Sequence, residues 1–122
     1  MVFSASPSCH WVLDLGKHIE EDATALVGRE AGRKLKDDLE KKGLGLSREG
    51  GGTIVIPERI ITINLSFFAG LFEEILVNEM GGDTWRFRRK YHFVSSKFVE
   101  KRIEAHARRL TSTPVPNMEI RF

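Results

Sequence analysis

The sequence holds one cysteine, one tyrosine and four prolines in 122 residues, and its charge is nearly balanced, with 19 basic against 17 acidic side chains. Each scarcity excludes something. A lone Cys9 cannot close an intramolecular disulfide, and such a chain is at home in a reducing compartment. A net charge of +2 lacks the excess that a nucleic-acid binder usually carries. No apolar run approaches the roughly 18 residues that a membrane-spanning helix requires. The opening MVFSASPSCHWVLDL has neither a charged start nor a long apolar core, so no signal peptide is expected. Together these readings lead to a soluble, cytoplasmic protein.

A chain of this length fits one compact domain and can bury a core without metals or disulfides. Hydrophobic residues make up 41% and charged ones 30%, a composition that gives a well-solvated exterior. Residues 10–15 alternate, with Trp11, Leu13 and Leu15 on one side, and predict a short strand. A polar connection follows, with Ile19, Leu26 and Val27 as its apolar anchors. In 29–42, Ala31, Leu35 and Leu39 recur every four residues, which predicts an amphipathic helix started by Gly28 and stopped by Gly43. Gly32 inside it costs about 1 kcal/mol relative to alanine, a cost that close approach to a neighbouring strand would excuse. The stretch LGLSREGGG at 44–52 reads as a flexible loop, with no Gly-Lys-Ser/Thr to make it a phosphate cradle.

Residues 53–64 contain two strand-like pieces around Pro57, compatible with a hairpin-like pair or one bent strand. A second helix is expected over 66–80, ended by Gly81-Gly82, with Phe68, Leu71, Phe72, Ile75 and Leu76 on its apolar face. The alternation of Trp85, Phe87, Tyr91 and Phe93 predicts a strand over 85–94. A third helix over 96–110 turns Val99, Ile103, His106, Ala107 and Leu110 inward, capped by Ser95 or Ser96. The proline-interrupted end reads as a loose tail or a strand added to a sheet edge. The resulting organisation is an extension at 1–9, a domain at 10–111 and a tail at 112–122.

Chemistry-bearing constellations are sparse. His10, His18, His92 and His106 show no paired spacing for a metal, and no cofactor is implied. Ser66 lacks the Gly-x-Ser-x-Gly frame of a nucleophile. Glu73, Glu74 and Glu79 occupy the solvent side of an amphipathic helix, where charge serves solubility. No catalytic residue is therefore expected. The basic run Arg86, Arg88, Arg89 and Lys90, interleaved with aromatics, could track a phosphate backbone; a solvated charged face explains it more simply. Ser66, at a strand-to-helix junction, reads first as a helix N-cap worth about 1 kcal/mol.

Three segments carry a family resemblance: LGKHI with the later GREAGRKLKDDLE, the junction ITINLSFFAGLFEEIL, and WRFRRKYHFVS. Together they resemble the STAS-like domains of unknown function, bacterial and phage relatives of the anti-sigma-factor-antagonist fold. The resemblance implies a single α/β domain, a small mixed sheet with about three helices packed on it. It implies a non-catalytic regulatory domain that binds a protein partner, such as an ATPase of the histidine-kinase type, through Asn64, Ser66, Phe67, Gly70 and Arg29. Ser66 would then be a phosphorylation site, and a homodimer is open. The sequence departs from the family at Ile56-Pro57, where such domains often carry Asp-Phe. The alternative expectation is a nucleic-acid-binding module using a basic strand at 86–90.

Overall fold

The computed structural model describes residues 10–112; Cys9 and the C-terminal tail from 113 onward lie outside the described residues. The elements run β1 (Trp11–Asp14), β2 (Ala25–Leu26), α1 (Arg29–Lys41), β3 (Gly52–Val55), β4 (Thr62–Ile63), α2 (Leu65–Glu74), α3 (Thr84–Lys90), β5 (Tyr91–Val94) and α4 (Lys97–Ser112). The architecture is α/β, as the order of elements implies. The sheet is not one mixed unit but two small parallel ones.

In the three-stranded sheet β3 lies between β1 and β5, with Trp11, Gly52 and Tyr91 level in one row and Leu13, Ile54 and Phe93 in another. Successive side chains of a strand point to opposite faces, so these rows form the inner face. The core residues Leu13, Ile54 and Tyr91 are buried there. The alternate residues face outward, where Val12 and Val94 are 66% and 45% exposed. Parallel sheets are usually covered on both faces; here the helices pack on one.

The second sheet pairs Ala25 with Thr62 and Leu26 with Ile63. The two strand-like pieces flanking Pro57 therefore make neither a hairpin nor a bent strand. Each crosses to a different sheet, β3 beside β1 and β4 beside β2. The strand β2 falls in what reads as a polar connection, because two residues are too few to show a period. Of its expected anchors, Leu26 is buried while Val27 is 53% exposed.

Helix α2 is central. Phe67 through Phe72 are all buried, and a helix apolar on every side belongs inside a core. Its Phe72 meets Phe87 and Tyr91 with ring centroids 5.2 and 5.4 Å away, and Phe68 packs 5.7 Å from the His106 ring of α4. Past Glu74 the helix widens into a π turn over Ile75–Glu79 and stops at Gly81 and Gly82, both at positive φ.

Helix α1 ends at Gly43, whose φ of 76° suits glycine. The Leu44 amide donates to Leu39 O at 2.8 Å and the Gly43 amide to Glu40 O at 3.1 Å, the paired bonds of a Schellman stop. The loop at 44–52 is not loose. Its Leu46 is buried, Tyr91 Oη donates to Leu46 O at 2.6 Å, Lys90 Nζ donates to Arg48 O, and Ser47 Oγ donates to Glu79 at 2.7 Å. The glycines allow the turn, and these long-range bonds hold it.

The largest correction concerns 85–94. Residues 84–90 are helical and only Tyr91–Val94 is a strand. Asp83 Oδ1 accepts from the amides of Trp85 at 2.9 Å and Arg86 at 3.4 Å, an N-cap that starts a helix where the alternation suggests a strand. Arg86, Arg88, Arg89 and Lys90 thus stand on a helix, and Trp85 is 68% exposed rather than turned inward with Phe87 and Tyr91. In α4, Ser96 Oγ accepts from Val99 N at 3.3 Å, and Val99, Ile103 and Ala107 are buried as the stripe requires.

Candidate functional site

Strands β2 and β4 are parallel neighbours, and each leads directly into a helix: β2 into α1 and β4 into α2. The two helix N-termini consequently open side by side. Asn64 joins them. Its amide donates to Leu26 O at 3.0 Å, and its Oδ1 accepts from Phe67 N at 2.9 Å and from Gly28 N at 3.3 Å. Gly28 is the N-cap of α1 and has no side chain to cap with, so one asparagine serves both ends.

Ser66 is therefore not the N-cap. The chain leaves the extended conformation at Asn64, with φ −90° and ψ 167°, and Leu65 is already helical. Ser66 is the second helical residue, is exposed, and its hydroxyl makes no hydrogen bond to a described side chain. Local propensity favours either residue as a cap; the position where β4 ends decides between them.

Arg29, the first residue of α1, donates from Nη1 to Glu73 Oε1 of α2 at 2.6 Å. Lys36, two turns further on, donates to Glu74 Oε1 at 2.9 Å. That hydrogen bond raises Lys36 above its ordinary value and holds Glu74 below the usual carboxylate range. Glu73 and Glu74 thus do more than solvate a surface: they latch the two helices. Between these pairs lies an open depression of about 500 Å³ bordered by Arg29, Arg33, Glu73 and Asn78.

The junction brings together the residues expected there, in two layers. Asn64, Ser66 and Arg29 are exposed. Phe67 and Gly70 are buried and shape the surface from beneath, Gly70 at the floor of the depression between α1 and α2. Gly32 faces Gly70, and the close approach that excuses it is to a helix, not a strand.

The other titratable groups sit apart. Among the described residues no group of three or more His, Cys, Asp or Glu side chains could hold a metal ion. His106 donates from Nε2 to Ile63 O at 2.8 Å, a bond that satisfies β4 and fixes the imidazole in the core. His10 Nε2 lies 2.9 Å from Thr53 Oγ1 on the outer sheet face. Among the described residues no helix is long and apolar enough to cross a membrane.

No family model matches the chain, and neither a curated protein nor a solved structure matches it.

Proposed function

We propose that this chain is a non-catalytic regulatory domain that binds a protein partner at the paired N-termini of α1 and α2, with Ser66 as the control point. One observation carries the reading: Ser66 is exposed in the first turn of α2, on a junction where Asn64 bonds the first turns of both helices. A hydroxyl without a hydrogen bond among the described residues, beside a junction tied by Asn64, is available to be recognised or modified.

The STAS-like resemblance supports the same residue and supplies the partner class, an ATPase of the histidine-kinase type. A phosphate on Ser66 would lie near the free amides and positive dipole end of α2, so the fold would tolerate it. It would also add up to about two negative charges to the docking surface and repel an acidic partner. The cytoplasm is the compartment this reading places it in.

Affinity capture with wild-type, Ser66→Ala and Ser66→Glu chains, followed by binding measurements with the purified partner, tests the proposal. Wild type and Ser66→Ala should retain one partner, and Ser66→Glu should lose it. A partner that ignores Ser66→Glu and also tolerates Arg29→Ala overturns the reading.

A further inference from the structure

The near-neutral total hides a strong division of charge. Residues 84–112 carry nine basic side chains against Glu100 and Glu104, a net of +7, so the chain's total of +2 leaves the remainder at −5. That basic segment comprises α3, β5 and α4. The one-sided excess expected of a polyanion-binding surface is thus present, and balanced composition conceals it.

Helix α3 concentrates it. Phe87 anchors the helix in the core, while Trp85, Arg86, Arg88 and Arg89 are exposed. An indole 68% open to solvent is unusual where a large aromatic could have been buried. The Arg88 guanidinium lies 5.8 Å from its ring centroid, which places cation and flat aromatic side by side. Arg88 also reaches Glu104 of α4, at a loose 3.7 Å with both side chains largely exposed; an exposed pair of this length holds Arg88 only weakly. Lys90 is different, tied to the Arg48 carbonyl of the 44–52 loop, and is left out of the footprint.

Between α3 and α4 runs a cleft of about 420 Å³, within the range of small-ligand pockets. Phe87, Tyr91 and Phe93 line its apolar part, and Arg88 and Arg108 stand on its two walls. Glu100 and Glu104 line the same cleft and can accept from amino groups on a base edge.

We propose that α3 and the α3–α4 cleft form a binding surface for single-stranded nucleic acid: Arg86, Arg88, Arg89 and Arg108 contact phosphates, and Trp85 stacks on a base. Charge complementarity alone would also admit an acidic protein or an anionic membrane. The exposed ring beside an arginine, next to a partly apolar cleft roomy enough for a base, favours unpaired bases, whose flat faces such platforms hold. The surface is distinct from the Ser66 junction, so either can fail alone.

The test titrates the full chain against fluorescein-labelled oligothymidylate of about 15 nucleotides at about 50 mM salt. The logarithm of the affinity should fall linearly with the logarithm of salt concentration, and tryptophan emission should be quenched. Trp85→Ala should remove the quenching, leave the Trp11 emission, and weaken binding about tenfold, with Trp85→Phe restoring most of the affinity. Arg86→Glu with Arg89→Glu should weaken binding about tenfold or more and lower the salt slope by about two. Lys34→Glu with Lys41→Glu, an equal charge change on α1, should alter affinity less than about threefold, since screening confines surface charge effects to about a Debye length. Circular dichroism establishes that each variant is folded. No complex at low salt overturns the proposal. So does an equal loss for both double reversals, or binding to polyglutamate or phosphatidylserine vesicles as tight as to the oligonucleotide with Trp85 unquenched.

Discussion

Gly32 of α1 and Gly70 of α2 face each other at the crossing of the two helices. A Cβ on Gly32 would stand 2.3 Å from Phe67 O, and one on Gly70 2.3 Å from Arg29 O. Both obstacles are backbone, which cannot swing aside as a side chain can. Glycine is therefore required here for the space it leaves, in spite of its low helix propensity.

Gly32→Ala and Gly70→Ala should each destabilise the fold by about 1–3 kcal/mol, as overpacking does. On propensity alone each would stabilise by about 1 kcal/mol, so the sign is diagnostic. Denaturant midpoints measure it; an unchanged or raised midpoint would show that the helices can move apart freely.

Asn64→Ala removes the acceptor of the Phe67 and Gly28 amides. The expected loss is about 1–2 kcal/mol. Asn64→Asp keeps the oxygen and adds a charge favoured at two helix N-termini, so it should recover most of the loss. Thermal melts of the two variants should fall in that order.

Tyr91 is the only tyrosine in the sequence, so tyrosinate absorbance reports it alone. Burial, with the charge of Glu79 adding to it, pushes its hydroxyl well above the ordinary value of 10.0. The stabilisation is fully present below pH 10.0 and is lost as pH rises, because the unfolded phenol ionises first. The absorbance step should thus coincide with alkaline unfolding. Tyr91→Phe should cost about 1–2 kcal/mol at neutral pH through the orphaned Leu46 carbonyl, and should make the alkaline limb shallower. An ordinary titration of Tyr91 in the folded protein would sink this expectation.

The Lys36–Glu74 pair predicts a smaller effect on both sides of neutrality. Glu74 is lowered by the Lys36 hydrogen bond, so its contribution is present above pH 4.5 and lost as pH falls through the depressed value. Lys36 is raised chiefly by Glu74, so the same bond is present below pH 10.5 and lost above its raised value. Glu74→Gln should flatten both limbs of a melting-temperature profile, and high salt should do the same to the wild type, because the Glu74 carboxylate is open to solvent. A profile unchanged by the substitution would remove the latch.

Much of the helical framework was legible in the sequence. The spacing of Leu35 and Leu39, with Gly28 and Gly43 at the ends, defines α1, although Ala31 of the expected stripe is exposed and Gly32 is buried in its place; the stripe behind Ser96 defines α4. The failures have specific causes. Phe87 and Tyr91 are four apart as well as alternating with their neighbours, so the apolar pattern fits helix and strand alike; the deciding signal is Asp83, a strong N-cap just after two glycines. Ser66 and Asn64 are both good caps, and only the end of β4 separates them. Glu73 and Glu74 look like solvating charges because their partners, Arg29 and Lys36, lie 44 and 38 residues away. The same holds for the glycine loop, pinned by Tyr91 and Lys90 from far along the chain.

The order of strands in the larger sheet has a kinetic consequence. Trp11 must wait for Gly52, and Gly52 for Tyr91, so each pairing closes a loop of roughly forty residues before any ladder forms. Such topologies assemble slowly, since entropy is lost early and contacts are gained late. A chain emerging from the ribosome would carry its first strand unpartnered until β3 has been made, and β3 in turn lacks its second neighbour until β5 follows. Nascent copies are then most open to edge-to-edge association, and the short four-residue strands keep that exposure small.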